Sequence, residues 1–216
     1  MVEVRLFEPR VHVAEGVLVG HQVDEAHLAV GVQLLNIRRQ FDIDGKGVFL
    51  AVANQRWKTE KLFGKKTDSY YAPMAGKAVP IAEVPDPTFA EGMLGNGIAI
   101  EPAEGKVYAP CDATVDMMFT TGHAVSLIAD SGAEILIHIG LETVSLEGKP
   151  FTVHAGNGDK VKKGQLLIEV DLEAVKAAGL HTITPMVICN TDAYSTFKTI
   201  VGKEVTNEDV VIELAE

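Results

Sequence analysis

The chain has 216 residues, 47% of them hydrophobic, and a formal net charge of −11. That length suits one substantial core with a segment to spare, and the acidity argues against a nucleic-acid backbone as partner and suits a basic protein. No apolar run approaches the roughly 20 residues of a membrane helix, and residues 1–10 lack a signal-peptide core. The expectation is a soluble, cytoplasmic protein without membrane insertion. Cys111 and Cys189 are the only cysteines, far apart and without metal-like spacing, and they read as small buried hydrophobes.

Charge divides the chain. Residues 1–66 hold ten Lys and Arg against eight Asp and Glu, whereas residues 67–216 hold nine against 22. Every arginine lies at or before Arg56. The boundary is therefore set between residues 66 and 67, leaving 1–66 as an unassigned N-terminal extension and linker. It is either an appended segment or an upstream stretch read as protein. Within it, 16–20 (GVLVG) and 48–53 (VFLAVA) look strand-like, and His12, His21 and His27 have no metal spacing and read as surface residues. The lysine-rich 58–66 (KTEKLFGKK), followed by Thr67-Asp68-Ser69, reads as a linker.

From Tyr71 onward the pattern is strand, turn, strand. Tyr71-Ala72-Pro73 recurs as Tyr108-Ala109-Pro110, each ahead of a short valine-bearing run, Lys77-Ala78-Val79 and Ala113-Thr114-Val115. Such a weak repeat suits a fold built by duplicating one β unit. Gly95-Asn96-Gly97 precedes Ile98-Ala99-Ile100, and the turn 158–164 precedes the strand 165–170. These glycines suit tight turns, and no P-loop or dinucleotide fingerprint is present. One short helix is predicted, over 172–178. The fold class is all-β, an antiparallel sandwich or barrel.

The chemistry concentrates in 119–146 (FTTGHAVSLIADSGAEILIHIGLETVSL). Strands over 125–129 and 135–139 flank a turn centred on Ser131-Gly132. A two-residue tip sets His138 opposite Val125 and His123 opposite Gly140, so the two imidazoles are diagonal neighbours on one face, about 7–8 Å apart at Cα. A one-residue bulge would send them to opposite faces. Two converging imidazoles can bind a metal, move protons or carry a phosphoryl group; the plainer alternative is two unrelated polar residues on a wet strand. Gly122 and Gly140 flank the pair and leave room for a bulky group, and Thr121 adds a hydroxyl.

From about residue 71 to 213 the chain resembles the glucose-type enzyme IIA domain of the bacterial phosphoenolpyruvate-dependent sugar phosphotransferase system. The resemblance rests on Ala72-Pro73-Met74-Ala75-Gly76, Val84-Pro85-Asp86-Pro87-Thr88-Phe89-Ala90-Glu91, Gly95-Asn96-Gly97-Ile98-Ala99-Ile100, Ile137-His138-Ile139-Gly140-Leu141-Glu142-Thr143-Val144 and Thr184-Pro185-Met186-Val187-Ile188. It implies a β-sandwich of the duplicated hybrid type, with His138 as the phosphorylated residue and His123 as the second histidine. It implies that the phosphorylated histidine-containing carrier protein is the donor and a cysteine of an enzyme IIB domain the acceptor, with no cofactor and no metal. Thr121 matches a residue that hydrogen-bonds around the active site, and Gly140 is read as a source of a backbone acceptor. Asp86 lies within the second matched stretch, and Phe89, Met93, Leu94 and Phe119 match parts of an apolar docking face. Glu142 stands where some members have aspartate, and Val125, Leu136 and Ile139 stand where some carry phenylalanine, which preserves an apolar rim.

Other readings are a regulatory enzyme IIA that senses sugar supply, or a zinc hydrolase of related β-fold. The second lacks a His-x-His run and usually needs a third protein ligand. A lipoyl-type carrier would share the 158–170 turn and strand but lacks the lysine at its tip.

Overall fold

The computed structural model describes residues 67–215, and most of the regular structure there is extended. The strands are β1 (Thr67–Tyr71), β2 (Gly76–Pro80), β3 (Asn96–Pro102), β4 (Lys106–Tyr108) and β5 (Ala113–Met118). They continue as β6 (Ala124–Ala129), β7 (Glu134–His138), β8 (Phe151–Val153), β9 (Lys160–Val161) and β10 (Leu166–Val170). The last four are β11 (Thr184–Ile188), β12 (Thr196–Thr199), β13 (Lys203–Val205) and β14 (Val210–Ala215). The readings at 16–20, 48–53 and 58–66, and those of His12, His21 and His27, lie outside the described residues.

Every pairing among these strands is antiparallel. The large sheet runs β13-β2-β3-β11-β7-β6-β5-β9, and the two small sheets run β1-β14-β12 and β4-β10-β8. Reading the large sheet inward from either edge gives equivalent partners, with β7 and β11 paired at the centre. The small sheets match strand for strand in the same way. The repeated tripeptides bond each other reciprocally: Tyr71 N–H donates to the Pro110 carbonyl at 3.0 Å, and Tyr108 N–H to that of Pro73 at 2.8 Å. This is the duplicated β-sandwich expected from the repeat.

The large sheet is buried on both faces over part of its area. Ile98, Ile100, Ile135, Ile137, Ile139, Met186 and Ile188 enter the main core. The intervening Ala99 and Val187 join Val79, Val84, Phe89 and Leu141 in a smaller cluster on the other side. Burial on two faces is why runs such as Ile98-Ala99-Ile100 are continuously apolar instead of alternating. The second cluster is covered by the segment that includes α1 (Pro87–Ala90), whose first turn is held by Asp86 accepting from Thr88 N–H at 2.8 Å and by proline at the helix start.

Two sequence expectations are corrected here. Thr67-Asp68-Ser69 is not linker: it pairs with Ala215, Leu214 and Glu213 in β1, a polar edge strand whose Tyr70 is buried. Alongside the helix near residue 172, which is α2 (Leu172–Ala177), stands the short α1, too brief to leave a periodic signal. Among the described residues no helix is long and apolar enough to cross a membrane.

Candidate functional site

His138 is the last residue of β7. Its neighbours Ile137 and Ile139 point into the main core, so alternation turns the imidazole to the opposite face, where Leu136 packs against the smaller cluster. Gly140, two residues beyond the strand, turns the chain in the left-handed region, at φ 69°. A Cβ there would stand 2.6 Å from the His181 carbonyl oxygen and 2.6 Å from Thr143 Cγ2, so the position admits only glycine without local rearrangement. This bend brings the Gly140 carbonyl oxygen to 2.7 Å from His138 Nδ1. A carbonyl only accepts, so Nδ1 carries the proton and the neutral ring keeps its lone pair on Nε2.

His123 enters from a turn that Gly122 N–H closes onto the Phe119 carbonyl at 2.7 Å, with Gly122 at φ 67°. Thr121 Oγ1 lies 2.5 Å from His123 Nδ1, and the Phe119 ring meets the imidazole edge-on at 5.2 Å. The His123 carbonyl accepts from Ile139 N–H at 2.8 Å, which ties the two histidine segments together. The rings of His123 and His138 lie 5.1 Å apart between centroids, inclined at 73°.

The hairpin register differs from the sequence expectation by one residue. The β6–β7 loop is Asp130-Ser131-Gly132, closed by Ala129 N–H to the Ala133 carbonyl at 2.9 Å, with Gly132 at φ 95°. A three-residue loop of this kind sets Ala124 opposite His138 and Val125 opposite Ile137. Strict alternation would now aim His123 at the core. Ala124 with His138 is the last ladder pair; beyond it one bond, Ile139 N–H to the His123 carbonyl, holds the backbone, and the Phe119–Gly122 turn delivers the ring to His138. The same shift overturns the reading of Val125 as a rim residue. Its side chain is 0% exposed and sits in the main core, out of reach of any surface partner.

Of the remaining expected residues, Phe89 and Phe119 touch the pair, and the carboxylates of Asp86 and Glu142 act on His138. Phe89 meets His138 at 5.5 Å and is itself almost buried. Met93 is 70% exposed, with Leu94 and Val144 also exposed as apolar surface. Burial pushes the His138 pKa below its ordinary value, partly opposed by the bond to Gly140 and by the carboxylates of Asp86 and Glu142. The His123 pKa is also lowered, by burial first and by His138 second. Both rings are thus biased towards the neutral form. Thr143, fully buried and bonded to the Ile139 carbonyl at 2.6 Å, escaped the sequence reading as a site residue. A lone threonine after a glycine turn carries no periodic signal. Among the described residues, no group of three or more His, Cys, Asp or Glu side chains is disposed to hold a metal ion.

Residues 68–194 match the family model described as "phosphoenolpyruvate-dependent sugar phosphotransferase system, EIIA 1". The chain belongs to this family. A glucose-specific EIIA component from Bacillus cereus is 48% identical over 151 residues, which cover 68% of this chain and 92% of that protein. A glucose-specific EIICBA component from Streptococcus pneumoniae is 46% identical over 136 residues, and a β-glucoside-specific EIIBCA component from Bacillus subtilis 50% identical over 125. These cover 63% and 58% of this chain, but the match spans only about a fifth of either larger protein, 19% and 20%. The solved glucose permease IIA from Mycoplasma capricolum superposes with a TM-score of 0.65 at 36% identity, covering 68% of this chain and 96% of that one. This EIIA domain therefore has the fold that its sequence suggested.

Proposed function

We propose that the EIIA domain is a phosphohistidine carrier: it takes a phosphoryl group onto His138 Nε2 from the phosphorylated histidine-containing carrier protein and yields it to a cysteine of an enzyme IIB domain during sugar uptake. The observation that carries this reading is the 2.7 Å contact between His138 Nδ1 and the Gly140 carbonyl, which leaves Nε2 as the nucleophile. In the first step the Nε2 lone pair attacks phosphorus, and the P–N bond to the donor imidazole breaks with its electron pair returning to that ring. In the second, a thiolate attacks phosphorus and the electron pair of the P–N bond returns to Nε2. The Nδ1 proton stays on His138 throughout, and its bond to Gly140 steadies the positive charge that phosphorylation places on the ring.

His123 supplies the electrostatic part. In this reading the Thr121 hydroxyl, against His123 Nδ1, takes the donor role, and Nε2–H of His123 is the donor offered to the phosphoryl oxygens. Phosphoryl transfer depends mainly on positioning and charge stabilisation, so two ordered imidazoles suffice without a deep pocket. Phe89, Met93, Leu94 and Phe119 form the apolar face for the two partners, with Asp86, Glu142 and the acidic body meeting basic groups on them. Relatives whose names join EIIA to B and C components support an EIIB acceptor. The cytoplasm, where both partners are encountered, is the proposed setting. Incubation with phosphoenolpyruvate, enzyme I and the carrier protein, followed by mass spectrometry, tests the reading: one phosphoryl group is taken up, and His138→Ala takes up none. Labelling of that variant would overturn it.

A further inference from the structure

Two peptide units aim the Gly140 carbonyl at His138, and each is clamped from outside the histidine pair. Within the Gly140–Leu141 unit, Leu141 N–H donates to the His181 carbonyl at 2.9 Å. Because N–H and C=O point in opposite directions across a trans peptide, that bond directs the Gly140 oxygen away from His181 and towards the imidazole. The preceding Ile139–Gly140 unit is held by Thr143, whose hydroxyl donates to the Ile139 carbonyl at 2.6 Å. Thr143 Cγ2 also closes over Gly140, at 2.6 Å from where a Cβ would be. On its other side Ile139 donates its own N–H to the His123 carbonyl at 2.8 Å. Thr143 is 0% exposed and one of three buried polar side chains among the described residues. The proton of its single hydroxyl is already engaged by the Ile139 carbonyl.

We propose that Thr143 is a positioning residue for chemistry at His138. Its hydroxyl holds the Ile139–Gly140 peptide, so that the Gly140 carbonyl keeps the proton on His138 Nδ1 and leaves Nε2 bare. The inference rests on the phosphocarrier reading, but the tautomer it predicts exists in the unphosphorylated protein. Loss of the hydroxyl frees a buried carbonyl that must then seek another donor, and the peptide plane rotates to find one. The His138–Gly140 bond weakens with it, and the proton redistributes between the two ring nitrogens.

Thr143→Val keeps shape and removes the hydroxyl; Thr143→Ser keeps the hydroxyl and removes the methyl. Nitrogen-15 NMR of histidine-labelled full-length protein, at a pH where the rings are neutral, reports the His138 tautomer, and carrier-dependent labelling reports the rate of phosphoryl uptake. We expect wild-type and Thr143→Ser protein to hold the Nδ1–H form and to label at similar rates. Thr143→Val should show a mixed tautomer and label on the order of tenfold more slowly, the lower end of the loss when an outer-shell partner that orders a metal-ligating imidazole is removed. If Thr143→Val does not fold, Thr143→Ala against Thr143→Ser makes the same comparison. An unchanged tautomer in a folded hydroxyl-less variant overturns the role of Thr143. Equal slowing in the serine and valine variants overturns it too. Wild-type protein that takes up no phosphoryl group overturns instead the phosphocarrier reading, whatever the tautomer.

Discussion

The imidazoles of His123 and His138 meet at 73° with 5.1 Å between centroids, although the strand ladder pairs His138 with Ala124. The turn before β6, and not strand alternation, brings His123 to its partner. The two rings are held by different means: His138 by a backbone carbonyl, His123 by the Thr121 hydroxyl. That difference suits different roles, one ring reacting and the other donating.

His123→Gln retains an N–H donor but loses the imidazole and its 2.5 Å contact with Thr121. The amide N–H is no longer held where the imidazole donor was, so the variant should still accept phosphate on His138 yet pass it to enzyme IIB about a hundredfold more slowly, the lower range for removing a positioned charge-stabilising donor. Single-turnover transfer from purified phosphoprotein measures this. An unimpaired onward rate would remove His123 from the mechanism.

Gly140→Ala places a Cβ 2.6 Å from the His181 carbonyl oxygen while φ is 69°. Backbone strain alone costs about 1–3 kcal/mol, and the collision with rigid backbone adds to it. The thermal midpoint should fall by several degrees, roughly 2–4 °C per kcal/mol for a domain of this size. Phosphate uptake should fall as well, because the acceptor of the Nδ1 proton shifts. Calorimetry beside a labelling assay separates the two effects, and a midpoint equal to wild type would refute the steric argument.

The pH dependence has a defined sign. Both imidazoles are held below the ordinary value of 6.5, chiefly by burial. Just below that pH the unfolded chain binds protons that the folded one refuses, so stability is full above 6.5 and declines as pH falls through the folded values. The neutral His138 needed for attack persists over the same range. The acid limb of phosphate uptake should therefore lie below the midpoint of a free imidazole, and the thermal midpoint should drop between about pH 7.5 and about pH 5.5. Replacing both histidines by glutamine should flatten part of that drop.

Residues 67–216 should fold and react without residues 1–66. β1 pairs with β14 at five positions, Thr67↔Ala215 to Tyr71↔Val210, so the first and last described strands close one sheet between themselves. A chain beginning at Thr67 should unfold cooperatively and label at the full-length rate. Precipitation, or a midpoint lower by more than roughly 10 °C, would make the first 66 residues structural.

How much of this was legible depends on what leaves a local signal. The run Ile137–Val144 singled out His138 as the candidate, and the repeated Tyr-Ala-Pro pointed to the duplication that the reciprocal bonds of Tyr71 and Tyr108 display. Hairpin parity was not legible, because Ser131-Gly132 fits a two-residue tip as well as the three-residue loop it ends. That single residue moved Val125 from the rim to the core. Thr67-Asp68-Ser69 passed for linker because an edge strand with one wet face is polar by design. Thr143 was silent because a buried hydroxyl is specified by the carbonyl it meets, which only the folded turn reveals.

The most direct test of the account is the site of the phosphoryl group itself. Phosphorus-31 and nitrogen-15 NMR of the histidine-labelled phosphoprotein distinguishes both the residue and the ring nitrogen. The geometry predicts one phosphoryl group, on Nε2 of His138, with Nδ1 still protonated against the Gly140 carbonyl. A phosphoryl group on Nδ1 of His138, or on His123, would contradict it.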